Sequence, residues 1–215
     1  MEIYFTEISE DETAETTNLL KFVSEEKQNK LRQYRFPIDR KLSLYAELLT
    51  RWQVMHILRL NNHEIEFGIN EYSKPFLQGH PLFHFNISHT RNAIAAAFSN
   101  DEVGVDIEKV KAPDFQISKR FFTSSEHDYI LSHKNPDRAF YEIWTKKEAY
   151  IKCIGMGLAK PLKSFDTLDD ESSISMYIGE YIISICCNKP APELTSLIVL
   201  TETELISSFH GAQGN

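Results

Sequence analysis

The chain has 215 residues, 42% hydrophobic and 25% charged, an ordinary globular composition that excludes wholesale disorder and allows one large domain or two of about 100 residues. Its formal charge of -8, from 23 Lys and Arg against 31 Asp and Glu, argues against nucleic-acid binding through broad phosphate neutralisation. No apolar run approaches the roughly 20 residues that span a bilayer, and the start, MEIYFTEISEDE, lacks the basic and apolar regions of a secretory signal, so a cytoplasmic protein with no membrane partner is expected.

Residues 2–8, EIYFTEI, alternate like a strand, and residues 12–34 read as a helix with Leu19, Leu20, Phe22, Val23 and Leu31 on its apolar side. This region carries the densest basic stretch, Lys21, Lys27, Lys30, Arg32, Arg35, Arg40 and Lys41, which is either a solvated face or a local supply of charge for an anionic ligand. Pro37 separates it from a second helix in which Leu42, Tyr45, Leu49, Trp52 and Met55 or His56 recur at spacings of three and four. EIEFGI at 64–69 and LFHFNIS at 82–88 read as strands around a polar loop with Lys74, Pro75 and Gly79, and AIAAAF at 93–98 completes a small sheet.

SNDE at 99–102 is turn-rich, so a boundary is expected near residue 100, dividing 1–100 from 101–215. VGVDIE opens the second half as a strand and leads through a loop around Pro113 to a short helix begun by Thr123, with Glu126 at capping-box spacing. Asn135-Pro136 starts a longer helix, and strands near 174–187 and 195–201 close the chain. Both halves mix helices with short strands, which makes the fold class α+β. The three cysteines, Cys153, Cys186 and Cys187, lack metal-type spacing and read as core or near-surface thiols.

In VGVDIE, Val103, Val105 and Ile107 share one strand face while Asp106 and Glu108 share the other. Alone, such a pair also suits an edge strand with solvated acids. On the helix after Pro136, Tyr141, Thr145, Glu148 and Lys152 form one stripe, although Glu148 and Lys152 are also the commonest kind of helix surface pair. Lys147 falls in the apolar stripe and must snorkel or find a partner. If Asp106, Glu108 and Glu148 converge, repulsion of about 4 kcal/mol per pair at ~4 Å calls for a cation between them. Oxygen ligands of this kind suit magnesium, which substrate phosphates usually complete. Ser88 and His89 end the FNISH strand and either contact phosphate or form a turn.

The ordered set SKP (73–75), FNISHT (85–90), VGVDIE (103–108), KRFF (119–122) and WTKKEAYIKCIGMGL (144–158) resembles the 4′-phosphopantetheinyl transferases of the longer, surfactin-synthetase-activating type. That resemblance implies two similar α+β halves related by a pseudo-twofold, a monomer, and coenzyme A bound in the cleft between the halves. It also implies a holo-[acyl-carrier-protein] synthase type of reaction. The serine of an acyl or peptidyl carrier protein attacks the β-phosphate of coenzyme A, and adenosine 3′,5′-bisphosphate leaves.

Carried over by motif, Asp106, Glu108 and Glu148 look like Mg2+ ligands, and Lys152 like a pyrophosphate contact. Ser88 and His89 match positions that meet coenzyme A phosphates, Lys74 an adenine-side lysine, and Lys27 and Lys30 the basic pair at the 3′-phosphate. Glu148 is the candidate acceptor of the serine proton, directly or through water. Arg91 replaces a common small residue and SKP replaces GRP or GKP, and Arg91 alters the phosphate-side loop. The segment from Lys111 to Phe122, with Phe115, Phe121 and Phe122, reads as a carrier-protein docking surface or as core. Two other readings use the same residues: hydrolysis of a pyrophosphate, and a non-catalytic module that binds coenzyme A or a carrier protein.

Overall fold

A computed structural model of the chain describes residues 1–11, 14–189 and 196–211. The first two positions of the helix expected over 12–34, and residue 195 of the last expected strand, lie outside them. Strand β1 (Glu2–Glu7) forms as the alternation predicts. The single helix expected after it is instead α1 (Ala14–Leu19), a 3-10 turn over Leu20–Phe22, and α2 (Glu25–Arg32). Val23 is extended, at φ -112° and ψ 159°, and the Ser24 hydroxyl accepts the amide of Lys27, so the helix stops and is capped anew. Helix α3 (Pro37–Leu58) starts on its proline and buries Leu42, Tyr45 and Leu49 of the expected stripe.

The strand expected over 64–69 is cut to β2 (Phe67–Ile69), because Asn61 and Glu64 close a capping box around the 3-10 turn Asn62–Glu64. It pairs with β3 (Pro75–Leu77), inside the expected loop. Strands β4 (His84–Thr90), β5 (Ala93–Ser99) and β6 (Val103–Lys109) follow. Part of the segment read as a loop forms α4 (Phe115–Phe121), capped by Asp114. Helix α5 (Ser124–Ser132) carries the capping box of Thr123 and Glu126, and α6 (Pro136–Ile154) ends at Gly155 with φ 67°. Strands β7 (Ser173–Ile178), β8 (Tyr181–Cys187) and β9 (Ser196–Leu200) precede α7 (Glu202–Gly211), a helix the sequence pattern left unread.

The result is α+β, with sheets ordered β4-β5-β1-β9 and β6-β8-β7. Strand β9 and helix α7, which the sequence placed with the second half, return to the first. Strand β9 runs parallel to β1, and Leu205, Ile206 and Phe209 complete the first half's core. Lys41, from the basic stretch, is fully buried and fastens this return: its Nζ pairs with Glu202 Oε1 at 2.7 Å and donates to the Asp11 carbonyl at 2.7 Å. It is therefore spent inside the fold rather than offered to a ligand.

Strand alternation builds the core between the sheets, with Ile3, Phe5, Ala93, Ala95 and Ala97 against Val103, Val105, Ile107, Ile183 and Ile185. The outer face of the first sheet receives α3, and that of the second receives α6. Gly104 permits the second contact. A Cβ there would lie 2.0 Å from the Ala149 carbonyl oxygen and 2.3 Å from the Cys153 amide nitrogen, so α6 rests directly on the β6 backbone.

Lys147 finds a partner. Its Nζ pairs with Glu126 Oε2 at 2.8 Å, both side chains having no exposure, and donates to the carbonyls of Leu162 (2.8 Å) and Phe165 (2.6 Å). Burial lowers its pKa while Glu126 raises it again. All three cysteines are buried and free. Among the described residues, no helix is long and apolar enough to cross a membrane.

Two stability outcomes follow. Gly104→Ala should lower the free energy of unfolding in urea by about 1–3 kcal/mol, because backbone atoms, not a flexible side chain, must move. An unchanged midpoint would show that α6 has slack over β6. Lys147→Met should cost about 3–5 kcal/mol by stranding Glu126. Lys146→Met, next along the helix but in an i,i+4 pair with Glu142, should cost under about 1 kcal/mol in the same assay.

Candidate active site

Strands β4 and β6 belong to different sheets and are joined through side chains rather than a backbone ladder. Asn86 Oδ1 accepts the Val105 amide at 2.8 Å, the Ser88 hydroxyl donates to Asp106 Oδ1 at 2.7 Å, and the Thr90 hydroxyl donates to Glu108 Oε2 at 3.1 Å. Alternate residues of one strand thus meet residues of the other in the same order, so the strands run parallel and in step. The polar faces of FNISHT and VGVDIE are turned toward each other.

Helix α6 lays its expected stripe over this seam. Thr145 is buried and its hydroxyl lies 2.7 Å from Ser184 Oγ on β8. Two turns later, Lys152 Nζ reaches Asp106 Oδ1 at 2.5 Å and Ser88 Oγ at 2.9 Å. Three elements therefore meet at Asp106, which is only 5% exposed. It is not the solvated edge acid that an isolated DxE would allow.

Burial and then the charge of Asp106 raise the pKa of Glu148, and the same two causes in the same order raise that of Glu108. Asp106 thus acts on both glutamates. Among the described residues, no three Asp, Glu, His or Cys side chains are drawn together at metal-ligand spacing. Like charges separate when no cation lies between them, and here Lys152 occupies Oδ1 of Asp106. Among the described residues, buried Asp106 Oδ2 has no hydrogen-bond partner. An orphaned carboxylate oxygen on Asp106, whose charge acts on two further carboxylates, is a donor chemistry that fits a hard divalent cation such as Mg2+.

The other expected ligand contacts divide into two groups. His89 lies at the end of β4, and loss of hydration, followed by the Lys152 charge, lowers its pKa; Asp39, which opposes the shift, and Lys27 also act on it. Lys27 on α2 thus shares the electrostatic neighbourhood of Lys152, although its Nζ is already engaged by Ser43 Oγ at 3.1 Å and Glu47 Oε2 at 3.3 Å. Lys30, one turn on, is exposed, as is Arg91 in the turn after β4. Lys74 stands apart at a groove that also includes Asn70, Phe76 and His84. Its Nζ binds Glu102 Oε2 (2.6 Å) and the Cys153 carbonyl (2.9 Å), fastening the β2–β3 hairpin to the end of α6.

The segment read as a docking surface is split. Phe122 is in the core with Ile130 and Phe140, Phe115 packs partly against them, and Phe121 is exposed. A cleft lined by Glu108, Lys111, Pro113, Ile117, Tyr141 and Trp144 opens beside Glu108. Sequence reasoning missed the bonds of Asn86 and Thr90. The available signal was the alternation of polar residues in FNISHT opposite the alternation in VGVDIE.

Two family models match the chain: residues 102–189 the 4′-phosphopantetheinyl transferase superfamily, and residues 10–100 the 4′-phosphopantetheinyl transferase N-terminal family. The 4′-phosphopantetheinyl transferase ffp of Bacillus subtilis is 38% identical over 170 residues, which is 78% of this chain and 76% of that protein. The 4′-phosphopantetheinyl transferase Sfp of Bacillus subtilis strain 168 is 34% identical over 77% of this chain and 75% of its own length. The human L-aminoadipate-semialdehyde dehydrogenase-phosphopantetheinyl transferase is 31% identical over 78% of this chain and 59% of its own length.

Proposed function

The chain belongs to the 4′-phosphopantetheinyl transferase superfamily, and from that premise we propose how its own residues carry the reaction. It transfers the 4′-phosphopantetheine group of coenzyme A to a serine of a carrier protein and releases adenosine 3′,5′-bisphosphate. The finer readings are that the acceptor is an apo acyl or peptidyl carrier protein, that the acyl-carrier form makes this a holo-[acyl-carrier-protein] synthase, and that a cytoplasmic monomer does the work. The observation that carries the site assignment is the meeting of Ser88, Asp106 and Lys152 from three elements, with Glu108 and Glu148 inside the field of Asp106.

Asp106, Glu108 and Glu148 would hold Mg2+, and the unbonded Oδ2 of Asp106 supports that reading. When bound, the ion supplies Lewis-acid neutralisation of the diphosphate. The serine oxygen forms a bond to the β-phosphorus, and the bond from that phosphorus to the bridging oxygen breaks. Glu148 takes the serine proton, directly or through a water, in the role of a positioned base. Lys152 moves its charge from Asp106 and Ser88 toward the diphosphate and supports the leaving oxygen.

Ser88 donates to a phosphate oxygen, and His89 offers a ring N–H to the same group. Lys27 and Lys30 meet the 3′-phosphate, and Lys74 borders the nucleotide end. Support for Lys27 is its effect on His89; Lys74 is supported by its groove.

Apo acyl and apo peptidyl carrier proteins, each incubated with coenzyme A and Mg2+, should gain the mass of one phosphopantetheine, and chelator should prevent it. No gain on either carrier, or a gain indifferent to chelator, would remove the acceptor or the cation from this scheme. Glu148→Gln should keep its unfolding midpoint while transfer falls by about 10²–10⁴-fold, the usual contribution of a positioned base. A near-normal rate would exclude Glu148 as the proton acceptor.

A further inference from the structure

Glu108 is one of the two longer carboxylates of the proposed cation site, and the one that a hydroxyl from another strand engages. It lies two residues after Asp106 on the same face of β6, so its charge is repelled along the strand, and its longer side chain can turn away. One hydrogen bond opposes that escape, from the hydroxyl of Thr90 to Glu108 Oε2 at 3.1 Å. A bond to an ionised acceptor is stronger than a neutral one.

The donor is also well aimed. Thr90 is β-branched and stiff at its first torsion. It is paired with Ala93 across the tight turn at Arg91-Asn92, where the Asn92 amide returns to the Thr90 carbonyl at 2.8 Å. Strand β4 is itself keyed to β6 by the buried Asn86, whose Oδ1 accepts the Val105 amide. The Thr90 hydroxyl is thus presented to Glu108 from a framework fixed at both ends.

We propose that Thr90 is a positioning residue for the divalent cation, its hydroxyl restricting where the Glu108 carboxylate can go so that a smaller rearrangement separates the free site from the ligand set. The inference rests on the reading of Asp106, Glu108 and Glu148 as cation ligands and adds a residue outside that set. Partners that orient a ligand typically contribute 10–100-fold to metal affinity.

The test is a titration of the full chain with Mn2+, followed by electron paramagnetic resonance of the free ion, with coenzyme A present and no carrier protein. Thr90→Val keeps the branched shape and removes the donor, whereas Thr90→Ser keeps the donor. The expected result is affinity weakened about tenfold in Thr90→Val, restored in Thr90→Ser, with unchanged unfolding midpoints in both. Wild-type Mn2+ affinity in Thr90→Val overturns the inference and leaves the cation site standing. Equal weakening in both variants also overturns it, because packing of the methyl group would then be the cause. If Asp106→Asn binds Mn2+ as the wild-type chain does, the cation site is wrong and the inference falls with it.

Discussion

The closeness of α6 to β6 governs everything else at the site. With hydrogen alone at Gly104, the helix backbone comes into direct contact with the strand, and Ala149 and Cys153 form the other side of that contact. Lys152 sits one residue before Cys153 and Glu148 one before Ala149, so the depth at which α6 rests decides how far their side chains reach. A methyl group at Gly104 would demand a shift of order 1 Å, given the 2.0 Å approach to a carbonyl oxygen. Displacements of that size in a reacting geometry cost large factors in rate. One missing side chain therefore links the core of the second half to the chemistry proposed on its surface.

The second constraint is the seam. Two sheets packed through alanines on β5 bring β4 and β6 side by side, but the strands are joined by Asn86, Ser88 and Thr90 instead of by a continuous ladder. A backbone ladder would have closed this edge. Side-chain bonding leaves hydroxyls and carboxylates that can exchange partners when a ligand enters, while Asn86 keeps the buried amide of Val105 satisfied. The line where the two sheets meet is thus also the line along which polar groups collect, and both strand motifs border it.

Much of this was legible in the sequence because it depends on strand and helix periodicity. Alternation in VGVDIE separated Asp106 and Glu108 from the valines, and spacing on the helix after Pro136 put Tyr141, Thr145, Glu148 and Lys152 on one stripe. Local rules also anticipated the Thr123–Glu126 capping box. Long-range pairing was not legible. The parallel return of β9 to β1 and the clasp of Lys41 on Glu202 join residues far apart in sequence, and neither strand carries a mark of its partner. Helix breaks were missed where a single cap, Ser24, outweighed an apolar pattern that continued past it.

Lys147 and Lys152 show how the same side chain serves two ends on one helix. Lys147 points into the core, where Glu126 and two carbonyls satisfy it from fixed positions, and a buried pair so completely bonded has nothing to release to a ligand. Lys152 is partly exposed and bonded to Asp106 and Ser88 at the seam. Its ammonium keeps the nearly buried Asp106 from standing uncompensated in the free protein. On the proposed reading, an incoming diphosphate and cation replace that contact, with Lys152 exchanging one anion for another and Asp106 exchanging one cation for another. Asp106 is thus paired with a positive charge before and after binding, which avoids the large desolvation cost of an unpaired buried acid.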